Sequence, residues 1–209
     1  YQILDNVPWQ SSLNFDIEVW HWAAVKMQYA SLAYFYAADQ TTAEPGLPDL
    51  SKREVYSVES IPVFREKGVI EGEKLKVKAK TADNVQDQDM TAWSESWSGA
   101  SQLWWTCRTP GATLTLDVPV AAAGTYDLSA AFTRANDYGI ARLALDGKPL
   151  GAPLDFYARR VEHTGAVQLG RVELTAGTHE LTVTMTGKNP KSTSYLFGLD
   201  WIKLQPAGQ

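Results

Sequence analysis

The sequence predicts an all-β protein built around an antiparallel β-sandwich, and three observations carry that reading. Apolar and polar residues alternate with period two in "ATLTLDVPV", "GTYDLSAAFTR" and "THELTVTMTG", the pattern of half-buried strands. Turn-forming residues separate these runs at a spacing of about ten residues, as in antiparallel sandwiches rather than strands alternating with helices. Sustained helical periodicity is absent, and a brief helix is expected only at "SVESIPVFREKG".

Taken in order, the chain opens on an aromatic-rich stretch. "SLNFDIEVWHW" alternates Leu13, Phe15, Ile17 and Val19 against polar neighbours, and "YASLAYFYAA" is rich in strand-favouring aromatics. Together they predict a hairpin over residues 1–40 that needs cover from elsewhere, because two strands alone are marginally stable. Residues 41–67 hold prolines, a glycine and many charges without an apolar period, which predicts a linker. From residue 68 to 209 the alternation is regular. Leu114, Leu116 and Val118 share one face of their strand, as do Tyr126, Leu128, Ala130 and Phe132, and then Leu181, Val183 and Met185. Turns are expected near Gly124, at Asp146-Gly147, near Gly177 and near Pro190.

Composition excludes several classes of function. A net charge of −5, from 24 acidic and 19 basic residues with no basic block, offers no footprint for a phosphate backbone, so nucleic acid is not an expected partner. No apolar run approaches the roughly 20 residues of a membrane helix. The single cysteine, Cys107, rules out an internal disulfide framework and reads as a small buried side chain on a strand. No Ser-His-Asp, zinc or carboxylate-pair signature stands out.

The stretch "VPWQSSLNFDIEVWHW" followed by "YASLAYFYA" resembles the end of the catalytic jelly roll of glycoside hydrolase family 172. The matching positions are Asp5, Val7, Pro8, Trp9, Glu18, Tyr29, Tyr34, Phe35 and Tyr36. The resemblance implies that residues 1–40 are the closing strands of a domain whose earlier strands lie upstream or in a second chain. It also implies a retaining glycosidase, whose chemistry needs two carboxyl groups about 5–5.5 Å apart. The "G-T-E-D-Y" stretch expected upstream does not occur here. Glu18 is the candidate catalytic carboxylate, lining a sugar pocket beside Trp20, His21 and Trp22, or else a paired rim carboxylate. His21 reads as a hydrogen bonder at the edge of a core. A lone glutamate cannot run the two-carboxylate reaction, so the chain by itself is expected to lack glycosidase turnover.

Residues 68–209 are similar to the galactose-binding-like β-sandwich of carbohydrate-binding modules. The similarity rests on "GVIEGEKLKV", "GTYDLSAAFTR", "LALDG", "LTAGTHELTV" and "LDWIKL" in that order. It implies a jelly-roll sandwich that binds oligo- or polysaccharide. Sugars present apolar C–H faces ringed by hydroxyls, so a site combines aromatic platforms with a few polar groups. The candidates are Trp93, Trp97 and Trp105 from "MTAWSESWSGASQLWW", with Arg134 and Tyr138 from "TRANDYG". Two readings of the tryptophans stand side by side: a sugar platform, or packing against a neighbouring segment. The similarity further implies a structural calcium held by Glu71, Glu73 and Asp200. Calcium wants six to eight oxygens, and pairing of either glutamate with Lys74, Lys76, Lys78 or Lys80 is the competing expectation.

Two functions follow. One is the C-terminal portion of a glycoside hydrolase, secreted or periplasmic as the family implies, in which an accessory sandwich binds carbohydrate. The other is a structural module that packs domains or subunits, such as a homo-oligomer, without binding sugar. Exposed, convergent Trp93, Trp97 and Tyr138 would favour the first.

Overall fold

The structure, a computed structural model, describes residues 10–12, 38, 63–93 and 96–208. The expected hairpin, Glu18 and most of the linker lie outside the described residues. Twelve strands are described: β1 (Ile70–Glu71), β2 (Lys76–Lys80), β3 (Val85–Asp89), β4 (Ser101–Trp105), β5 (Thr113–Val120), β6 (Gly124–Arg134), β7 (Ile140–Leu145), β8 (Lys148–Pro149), β9 (Leu154–Asp155), β10 (Glu162–Leu174), β11 (Gly177–Gly187) and β12 (Phe197–Pro206). Two short 3-10 turns, Gly72–Lys74 and Ser98–Ala100, interrupt them. Residues 63–68, the described part of the expected brief helix, are not helical: 63–66 are irregular and 67–68 form a turn.

The strands form two antiparallel sheets. The first runs β10–β6–β12–β4–β3, with β1 also paired to β12, and the second runs β2–β5–β11–β7–β8, with β9 also paired to β7. Period-two patterning builds the layer between them. Leu114, Leu116 and Val118 from β5, Leu128, Ala130 and Phe132 from β6, and Leu181, Val183 and Met185 from β11 are all buried in one core, so each apolar face meets the opposite sheet. Phe132, Phe156 and Phe197 close one end of this layer, their ring centroids 5.0–5.8 Å apart. Edge-type geometry between such rings adds to the area they bury.

Local chemistry fixes the turns. Asp146 (φ 49°) and Gly147 (φ 77°) are the two central residues of the hairpin that pairs Leu145 with Lys148. Both need the left-handed region that this two-residue turn demands, and Asp-Gly tolerates it. Cys107 is buried, as expected, but it lies just past β4 rather than on a strand. Its Sγ donates to the Thr109 carbonyl, and burial pushes the thiol above its ordinary range.

Candidate functional site

The outer face of the first sheet, away from the core, is where polar chemistry collects. Strands β12, β6 and β10 lie side by side, and their registers set three rows across it. Trp201 faces Ala131, which faces Ala166; Lys203 faces Ser129, which faces Gln168; Gln205 faces Asp127, which faces Arg171. Directly opposed residues on antiparallel strands point to the same side, so the rows make a floor. Above it lies an open groove of about 720 Å³, within the roughly 300–1,000 Å³ of small-ligand clefts. Phe64 and Glu66 form one wall, with Ser96 and His163 toward one end. Phe64 is 44% exposed.

Beside the groove, the turn at Ser98–Ala100 is tied to the carboxylate that His163 also contacts. The Ser98 amide donates to both Asp200 oxygens at 3.1 and 3.2 Å, and its hydroxyl donates to Glu71 Oε1 at 2.8 Å. The Glu66 amide donates back to Ser98 Oγ at 2.9 Å, and the Gly99 amide donates to the Phe64 carbonyl at 2.8 Å. These bonds clamp the turn to β1, β12 and the Phe64 wall. His163 completes the clamp. Its Nδ1 accepts from the Gly165 amide at 3.1 Å, which leaves Nε2 as the protonated nitrogen that donates to Asp200 Oδ2 at 2.8 Å. Burial pushes the Asp200 carboxyl up from its ordinary range, against the opposing pull of the His163 and Ser98 hydrogen bonds.

The structure redistributes the residues expected to touch sugar. Trp93 is exposed on the loop after β3, at 41%. Trp97 corrects the expectation of an exposed platform, because it is 1% exposed. Its indole N–H donates to Thr133 Oγ1 at 2.8 Å, and its ring meets His163 edge-on at 5.3 Å. Thr133 in turn donates to Gln102 Oε1, and the Gln102 amide donates to Gln88 Oε1 at 2.7 Å and to the Tyr138 hydroxyl at 3.3 Å. Tyr138 is therefore also buried, a second correction, and burial raises its hydroxyl pKa strongly. Trp105 is a core residue whose indole donates to the Ala82 carbonyl at 2.9 Å, while its neighbour Trp104 takes the other face and is half-buried. Arg134 ends β6 opposite Glu162, half-buried, with Nε lacking a hydrogen-bond partner. A buried aromatic is legible from burial alone, and the Ser-rich setting of Trp97 gave no sign of it.

The carboxylates expected to hold calcium are split in role. Glu71 and Glu73 each keep one buried oxygen, Oε2, with no hydrogen-bond partner, a donor chemistry that fits a hard cation. Burial, reinforced by the neighbouring Glu71, raises the Glu73 carboxyl pKa. Asp200 has its oxygens engaged by Ser98 and His163, and among the described residues no three acidic, histidine or cysteine side chains group to hold a metal ion. Glu73 sits in the 3-10 turn rather than two along a strand from Glu71. Two lysines of "KLKVKAK" pair elsewhere, Lys76 with Asp117 and Lys78 with Glu180, while the charge of Lys74 opposes the rise in the Glu73 pKa. Glu71 instead faces Arg65 at 3.6 Å.

Solved structures give the fold an independent match. A Paenibacillus xanthan lyase superimposes with a TM-score of 0.60 at 23% identity, over 70% of this chain and 14% of that one. The fold is a jelly-roll β-sandwich. A family 35 carbohydrate-binding module from Clostridium thermocellum gives 0.42 at 21% identity over 67% of this chain and 99% of that one. A Podospora anserina mannanase described as GH26-CBM35 gives 0.43 at 17% identity over 68% and 28%. The chain thus spans only a small part of the lyase. No protein-family profile and no curated protein sequence matches it. No helix among the described residues is long and apolar enough to cross a membrane.

Proposed function

We propose that residues 68–209 are a carbohydrate-binding accessory module of a larger carbohydrate-active protein, with residues 1–40 supplying the closing strands of a glycoside hydrolase jelly roll. The observation that carries this reading is the groove on the outer face of the first sheet. An exposed aromatic ring, Phe64, stands beside neutral hydrogen-bonding side chains, Ser129, Gln168 and Gln205. That pairing suits a sugar, whose C–H face packs on the ring while its hydroxyls meet the amides and the serine. The family resemblance supports a secreted or periplasmic location and catalysis completed by an upstream domain or a second chain, with a homo-oligomer as one arrangement.

The competing reading, a packing module without sugar, gains nothing from the buried Trp97 and Tyr138. Both are covered by the sandwich's own network through Thr133 and Gln102. Calcium enters as a structural ion of the Glu71–Glu73 pair, supported by their two partnerless oxygens.

Affinity electrophoresis of the full chain through gels containing xylan, mannan, arabinan, β-glucan or polygalacturonate tests the proposal. Retardation by at least one polysaccharide is expected, and free migration through all of them overturns it. In the same preparation, calcium should raise the melting temperature over that in chelator, and Glu71→Gln with Glu73→Gln should remove the difference. A melting temperature indifferent to calcium would remove the ion from the reading.

A further inference from the structure

The carbohydrate-binding reading leaves the class of sugar open, and the charges around the groove bear on it. Lys203 is the only lysine or arginine among its described lining residues, and its ammonium is bound to Glu66 Oε1 at 3.1 Å across the groove wall. Asp127 lines the far end, and Arg171 grips it with two bonds, Nε to Oδ1 at 2.8 Å and Nη2 to Oδ2 at 3.1 Å. His163 spends its one N–H on Asp200. Among the described residues, each charged side chain lining the groove is therefore matched by a protein partner, and this lining is neutral in balance.

We infer that the groove on β12, β6 and β10 is built for an uncharged oligosaccharide and against an acidic one, an assignment that rests on the carbohydrate-binding reading above. What the middle of the floor offers a ligand is Ser129, Gln168 and Gln205. A hydroxyl and two carboxamides each donate and accept, and sugar hydroxyls do the same. Three strands at about 4.8 Å spacing make this floor roughly 10 Å wide, enough for a chain of sugar rings lying along it. A uronate carboxylate fares differently. It needs a charge-assisted donor to offset its desolvation, and among the described residues the two cations at the groove, Lys203 and Arg171, already hold carboxylates. Recruiting Lys203 or Arg171 would leave Glu66 or Asp127 unpaired beside the incoming charge, and like charges so placed oppose binding.

Calorimetric titration of the full chain with xylohexaose, mannohexaose, cellohexaose, arabinohexaose and hexagalacturonate tests this, each in low and high sodium chloride. At least one neutral hexasaccharide should bind with an affinity insensitive to salt, because no ion pair forms, and hexagalacturonate should bind at least about tenfold more weakly. Gln168→Ala should weaken the neutral ligand about three- to tenfold, the worth of one hydrogen bond, and Phe64→Ala should do likewise. Both side chains are exposed, so unchanged melting temperatures would confirm that the fold is intact. Equal or tighter, salt-sensitive binding of hexagalacturonate would overturn the neutral-ligand inference while leaving carbohydrate binding in place. Neutral binding that ignores both substitutions would overturn the groove as the site. Binding of none of the five would overturn the inference together with the reading beneath it.

Discussion

His179 is held between two acceptors. Its Nδ1 lies 2.6 Å from Asp146 Oδ2 and its Nε2 lies 2.9 Å from the Thr175 carbonyl. A carbonyl oxygen only accepts, and a carboxylate beside a bare nitrogen would repel it, so both ring nitrogens carry protons. The Asp146 hydrogen bond, then the Thr175 carbonyl, hold the imidazole pKa above its ordinary value. Burial pushes the Asp146 carboxyl up, but the His179 bond and the Glu180 amide outweigh it and hold it low. The sign follows for each group. The His179 contribution is fully present below the unfolded value of about 6.5 and is lost as pH rises through the raised folded value. The Asp146 contribution is lost only in acid, as pH falls through its lowered value. Unfolding in urea between pH 5 and 9 should show wild-type stability falling relative to His179→Gln as pH rises. A difference that stays constant or grows across that range would contradict the assignment. At this same scale the sequence misled over tryptophan. Trp93 and Trp97 share one Ser-rich loop, yet one is exposed and the other buried, because a hydrogen bond to Thr133, 36 residues away, selects Trp97. No local pattern encodes that partner.

Elements with an apolar period were legible, and polar ones were not. β5, β6 and β11 bury the residues their alternation singled out, Tyr126 only in part. β3, "VQDQD", has a single apolar residue and lies at the edge of the first sheet, where charge protects an open edge from pairing with another chain. Its polarity hid it. β2, "KVKAK", plays the same part at the edge of the second sheet. Between β1 and β2, Gly72 lets the 3-10 turn pass against β12. A Cβ at that position would collide with the Leu199 carbonyl, a backbone atom that cannot swing aside. Gly72→Ala should therefore cost about 1–3 kcal/mol, as overpacking does. Gly187→Ala has open space around it and should stay within about 0.5 kcal/mol of wild type. Thermal melts of the two variants check this, and equal melting temperatures would mean that the turn yields. The turn also carries Glu73, so the contact ties the candidate cation pair to the sheet that floors the groove.

Across the whole molecule, the sandwich was readable from the sequence and its groove was not. The floor draws on Ser129, Gln168 and Gln205, from strands separated by tens of residues. On each strand alone, such a residue looks like any solvated outward position of an alternating run. Only the order β10–β6–β12 brings them together, and strand order depends on long-range pairing that one sequence does not display. The expected tryptophan platform was dispersed for the complementary reason: Trp97 packs beneath the outer face against His163, Trp105 belongs to the core, and Trp93 alone of the three is exposed. The account's central claim is that ligand lies on this face rather than at the loops of the sandwich ends. Amide chemical-shift mapping of the isotopically labelled chain with a bound neutral hexasaccharide tests it most directly. The account predicts perturbations centred on Ser129, Gln168, Gln205 and Phe64. Perturbations centred on Asn136, Asp137 and the 188–193 loop, or on Trp93, with the groove amides unmoved, would contradict it.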